Sequence, residues 1–128
     1  MKARISTLLS RRELESYRKA LTERRQKEMA LIESRFQIAW EIAHRAAEIL
    51  KSEFGARKVA AFGSLLHASL FHTHSDVDLA VWGLTGREYF RAVGVLQSIY
   101  PTIEVDVIAF EETSPSMQEL IRKEGINL

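Results

Sequence analysis

The chain of 128 residues contains no cysteine. Disulfides and thiolate metal sites are therefore excluded, and a reducing compartment suits it. Proline and glycine are scarce, with 2 and 6 residues. Neither occurs from Met1 to Phe54, so nothing there breaks a helix. No apolar run approaches the roughly 20 residues that a bilayer-spanning helix needs. The opening MKARISTLLSRR sets charges on both sides of a very short apolar patch, which is not the pattern of a signal peptide. A cytoplasmic protein without membrane contact is expected. No P-loop lysine motif, Gly-x-Gly-x-x-Gly or His-Glu-x-x-His occurs, and there are no internal repeats.

Charge is nearly balanced at +1 overall but unevenly spread. Up to Lys58 the balance is +6, and from Val59 onward it is −5. A basic face can meet nucleic acid or an acidic partner, or can simply be a solvated helix surface.

The long Gly- and Pro-free stretch reads as helix. Ser10 and Glu13 form a capping-box pattern that starts it near Arg11, and Phe54-Gly55 is a stop. Uninterrupted, such a helix runs about 66 Å. A dense apolar stripe runs through Met29, Ile32, Phe36, Ala39 or Trp40, Ala43, Ala46 or Ala47 and Leu50. This later part is expected to pack on the domain. Before Met29 only Leu14, Tyr17 and Leu21 keep the stripe among many charges. That part either folds back, with a break near Glu23–Glu28, or pairs with another chain.

From Val59 the pattern alternates strand and helix. Strands are predicted over Val59–Phe62, Val77–Trp82 and Ile103–Phe110. A second capping box, Thr85 with Glu88, opens a helix through about Ser98. Ser114-Pro115 reads as N-cap and N1 of a last helix that ends at Gly125.

The chemistry lies in FGSLLHASLFHTHSDVDLAVW, Phe62 to Trp82. Positions i and i+2 of a strand share a face, so Asp76 and Asp78 project together. Val77, Leu79 and Val81 take the core face. Two neighbouring carboxylates repel, and a divalent cation relieves the conflict. An oxygen-only donor pair favours Mg²⁺ over zinc. Asp106, between Val105 and Val107, has the same placement. If its strand lies beside Val77–Trp82, three carboxylates make a two-metal site for phosphoryl or nucleotidyl transfer. Asp106 is then a shared ligand or the base for the attacking hydroxyl. Gly63-Ser64 follows a strand and precedes a helical start, where free N–H groups and a hydroxyl suit phosphate oxygens. His72-Thr73-His74 beside Asp76 is either a transition-metal site or an ordinary polar loop. His67 is a further phosphate-contact candidate. Trp82 either stacks on a base or packs under the last helix.

The ordered set Phe62-Gly63-Ser64, then Asp76-Val77-Asp78-Leu79 after eleven residues, resembles the signature of the DNA polymerase beta-like nucleotidyltransferase superfamily. Val105-Asp106-Val107-Ile108 with Leu120-Ile121-Arg122-Lys123-Glu124-Gly125 is similar to the end of its minimal nucleotidyltransferase (MNT) branch. The likeness covers about Ile38 to Leu128. It implies an α/β nucleotidyltransferase fold over residues 38–128, a small mixed sheet with flanking helices, preceded by a long helical extension over residues 1–37. It implies that Gly63 and Ser64 hold the triphosphate and that Asp76, Asp78 and Asp106 bind two Mg²⁺. Nucleoside monophosphate, AMP if the substrate is ATP, would pass to an acceptor with release of pyrophosphate. Many stand-alone members are antitoxins encoded beside a HEPN-domain toxin, and some transfer AMP to a tyrosine of it. The chain departs from the pattern at Leu65, where the family commonly has arginine. A nucleic-acid partner is not expected, because the further domains that grip a template or tRNA are not in the sequence. Expected partners are the HEPN toxin and further copies of the chain through the N-terminal helix. The reading from another class is a binding module that neutralises a partner by contact.

Overall fold

The computed structural model describes residues 10–128. The reading of the opening residues as lacking a signal falls mostly on residues 1–9, outside that range. Helix α1 spans Arg11–Phe54, 44 residues without the break entertained near Glu23–Glu28. Its start is the expected capping box. The Glu13 N–H donates to Ser10 Oγ at 3.1 Å, and the Ser10 N–H donates to the Glu13 carboxylate at 3.3 Å. It stops at Gly55, whose φ of +75° closes the last turn at no steric cost.

The chain forms two compact units, one ending at Glu33 and the other Ser34–Leu128. Within the described part of the first unit no side chain is buried. Met29, expected in the packed stripe, is exposed. Burial in the second unit begins at Ala39 and recurs at Ile42, Ala43, Ala46, Ala47 and Leu50.

The second unit holds β1 (Lys58–Phe62), β2 (Val77–Trp82), α2 (Gly86–Ile99), β3 (Val105–Ala109), α3 (Pro115–Glu124) and β4 (Ile126–Asn127). The sheet order is β3-β2-β1-β4. β1 runs antiparallel to both β2 and β4, and β2 runs parallel to β3. The crossover through α2 makes the parallel pair possible. Two residues of β4 are too short for any periodicity to announce. The second capping box does not close. Thr85 is the N-cap of α2 without a side-chain bond, and Glu88 pairs with Arg91 at 2.9 Å instead. The N-cap read at Ser114 does form, with its Oγ accepting from the Met117 N–H at 3.3 Å.

Directly opposed residues share a sheet face. One face carries Val59, Ala61, Val77, Leu79, Val81, Val105, Val107 and Ala109, all buried. The other carries Phe62, Ala80 and Trp82, which pack with Phe110, Ile108, Ile121 and Met117. Its far end carries Asp78 and Asp106. Both faces are thus apolar in part, and the carboxylates occupy only the end that α3 leaves uncovered.

Candidate active site

The parallel register sets Asp78 of β2 beside Asp106 of β3. Pairing of the two strands begins one residue earlier, where Val77 lies opposite Val105 and its N–H donates to the Glu104 carbonyl at 2.9 Å. The same ladder that commits the valines to the core therefore fixes two carboxylates side by side on the opposite face. Asp76 enters from the residue before β2.

Their charges act on one another. Asp78 is half-buried, and burial first, then Asp106 and Asp76, push its carboxyl up to about 6. Asp106 is more open to solvent, yet partial desolvation and the charge of Asp76 raise it too. Each shift measures a free-energy cost of keeping negative charge there, the cost a divalent cation would remove.

Gly63 lies against this group. It follows Phe62, which is opposite Asp78 in the β1–β2 register. A Cβ built on Gly63 would stand 2.5 Å from Asp78 Oδ2, and its φ is +77°. Only hydrogen fits between the turn and the carboxylate. Gly63–Leu66 then forms a 3-10 turn, whose first N–H groups have no partner within the turn. The turn is pinned by Leu65, which is 0% exposed. Leu65 thus serves the core and brings no charge to this turn.

The loop that delivers Asp76 is tied from three sides. Ser75 is buried, its Oγ accepts from the His72 N–H at 3.0 Å, and its own N–H donates to the His72 carbonyl at 3.1 Å. Arg35 Nη2 donates to the Ser75 carbonyl at 3.4 Å. Beside it Phe36 meets Phe71 edge to face, with ring centroids 5.2 Å apart. Sequence reasoning missed Arg35. The available signal was an arginine next to a stripe aromatic, one turn before the buried run of α1.

The histidines do other work. The backbone N–H of His74 donates to His72 Nδ1 at 3.1 Å within the loop. His67 Nε2 lies 4.0 Å from the Glu124 carboxylate. Trp82 stacks on Phe110 with centroids 4.6 Å apart and carries Lys58 over its ring, so it packs under α3.

Among the described residues no three His, Cys, Asp or Glu side chains stand as a finished cage for one ion. The aspartates nonetheless fit Mg²⁺ in kind. They supply oxygen only, they already repel one another, and Mg²⁺ completes its shell with water and substrate phosphate rather than with an all-protein cage. Beyond the edge strand, Tyr89, Ile108, Ala109, Glu112 and Thr113 line an open cavity of about 240 Å³. The Tyr89 hydroxyl donates to the Val107 carbonyl, and burial, Glu112 and Asp106 raise its pKa.

A family model described as polymerase beta, nucleotidyltransferase matches residues 44–128. Three solved structures share the fold. A mutant of the toxin–antitoxin MntA–HpeT is 17% identical, with a TM-score of 0.55 over 66% of this chain and 70% of that one. A toxin–antitoxin with AMP-PNP is 19% identical, with a TM-score of 0.55 over 65% and 69%. A minimal nucleotidyltransferase is 23% identical, with a TM-score of 0.51 over 79% and 96%. No curated protein matches the chain.

Proposed function

The chain belongs to the polymerase beta nucleotidyltransferase family, and from that premise we propose a Mg²⁺-dependent transferase that moves AMP from ATP to a hydroxyl of a partner protein. Its role would be the antitoxin of a HEPN/MNT pair, a reading supported by the toxin–antitoxin structures that share the fold. The observation that carries the chemistry is the register of Asp78 beside Asp106, with Gly63 pressed against the Asp78 carboxylate.

Asp76, Asp78 and Asp106 are the residues that would hold two Mg²⁺. When bound, the ions neutralise triphosphate charge and favour the deprotonated form of an attacking hydroxyl. The chain supplies the rest. The Gly63-Ser64 turn offers N–H groups and a hydroxyl to phosphate oxygens. Asp106, on the edge strand and open to solvent, is the carboxylate an acceptor hydroxyl can reach, and it takes the proton. The acceptor oxygen bonds to the α-phosphorus, the bond from that phosphorus to the bridging oxygen breaks, and pyrophosphate leaves with the electron pair. In this reading the segment before Ser34 is an assembly element that joins copies of the chain or docks the partner.

The buried Leu65 favours a second reading, a binding module with a weak or idle site. Co-expression with the neighbouring gene product, ATP and Mg²⁺ separates the two by intact mass. The transferase adds AMP to the partner, and Asp76→Asn with Asp78→Asn abolishes the added mass. A partner neutralised without modification, by wild type and double variant equally, establishes the binding module.

A further inference from the structure

The segment of α1 before Ser34 has no buried side chain, although a charged helix of this length gains little from propensity alone. Leu14, Tyr17, Leu21, Arg24, Glu28 and Leu31 recur at alternating steps of three and four, the seam of a coiled coil. Tyr17 is 62% and Leu31 65% exposed, and Met29 stays outside the seam. Arg24 and Glu28 take part in none of the ion pairs among the described residues.

We propose that residues 21–31 pair antiparallel with the same segment of a second copy, about a two-fold axis at Gln26. The proposal rests on the reading of this segment as an assembly element and gives it an orientation. A two-fold contact brings residue i to j and j to i. With the axis at Gln26, Leu21 meets Leu31 and Arg24 meets Glu28, each twice. Two oppositely charged layers at the centre are flanked by two apolar ones. The parallel alternative stacks Arg24 on Arg24 and Glu28 on Glu28 inside the seam, where desolvation magnifies repulsion. Antiparallel pairing does place Arg25 and Lys27 near their own copies. They sit at the solvated margins, where like charges cost only tenths of a kcal/mol and long stems turn outward. The central layers therefore decide, and they are complementary to themselves.

The absence of cysteine makes the test direct, because an introduced thiol is the sole one. Leu21→Cys and Leu31→Cys are made separately in the full chain and oxidised mildly. Antiparallel pairing sets the two copies of position 21 about 15 Å apart along the axis, beyond disulfide reach. Neither variant alone should cross-link, and an equimolar mixture should. Each variant cross-linking to itself would overturn the antiparallel order and leave self-assembly standing. No cross-link in any sample, with a monomeric mass for wild type by light scattering, would overturn both. Arg24→Glu should raise the dimer dissociation constant about tenfold or more, and adding Glu28→Arg should restore it. A double variant as weak as the single one would also overturn the pairing.

Discussion

The two faces of the sheet are made by the same residues of chain, one step apart. On β2, Val77, Leu79 and Val81 are wholly buried, whereas Asp78 between them is half-open and raised toward neutrality. On β3, Val105 and Val107 are buried and Asp106 is not. One face contributes stability along its whole length, whereas the other does so under α3 and carries a standing electrostatic cost at its open end. The alternation of a strand lets both exist without compromise, since a change on one face leaves the side chains of the other in place.

The largest expected effect comes from the polar face. Asp76→Asn with Asp78→Asn should reduce nucleotidyl transfer to background, measured by intact mass of the acceptor, with no loss of thermal stability in the metal-free protein. A fall in stability comparable to that of a core truncation would show that the two faces are not separable. Next comes the apolar face. Leu79→Ala should cost about 2–5 kcal/mol by denaturant melt, as buried leucine truncations do. Gly63→Ala, at the seam between them, should cost about 1–3 kcal/mol, since it combines a left-handed φ with a methyl group against Asp78. It should also weaken Mg²⁺ binding by calorimetry, whereas Leu79→Ala should not while the protein remains folded.

A pH effect follows from Asp78. Its folded pKa of about 6 lies above the ordinary aspartate value of 3.8, so between those values the folded state binds the extra proton. Stability of the metal-free protein should therefore be greatest below the lower value, fall as pH rises through about 6, and level off above it. Because the group is half-exposed, solvent screening reduces the loss to about 1 kcal/mol. Asp78→Asn should flatten that slope in thermal melts. Mg²⁺ should reverse it, binding more tightly as pH rises through the same range. The smallest expected effect is at Arg35. Arg35→Ala should loosen the loop before Asp76 and weaken Mg²⁺ affinity by a few-fold, with Arg35→Lys restoring part of it. Unchanged affinity would confine Arg35 to packing.

The sequence by itself determined each element whose cause is local. The Ser10–Glu13 box and Gly55 set the two ends of α1 at Arg11 and Phe54, while the continuity of the helix past Glu23–Glu28, open in the sequence, was decided by the structure. Valine alternation set β2 and β3 and told the face of Asp78 from that of Val77. What only the tertiary structure decided depends on pairing between distant residues. The parallel β2–β3 register brings Asp106 to Asp78, β4 closes the sheet on two residues, and Gly63 is held against a carboxylate fifteen positions along the chain. Leu65 became core and Arg35 reached Ser75 for the same reason. Periodicity states which side chains share a face of one strand. It carries no information on which strand lies alongside or in what register, because that choice minimises the exposed apolar surface of the whole domain rather than of any segment.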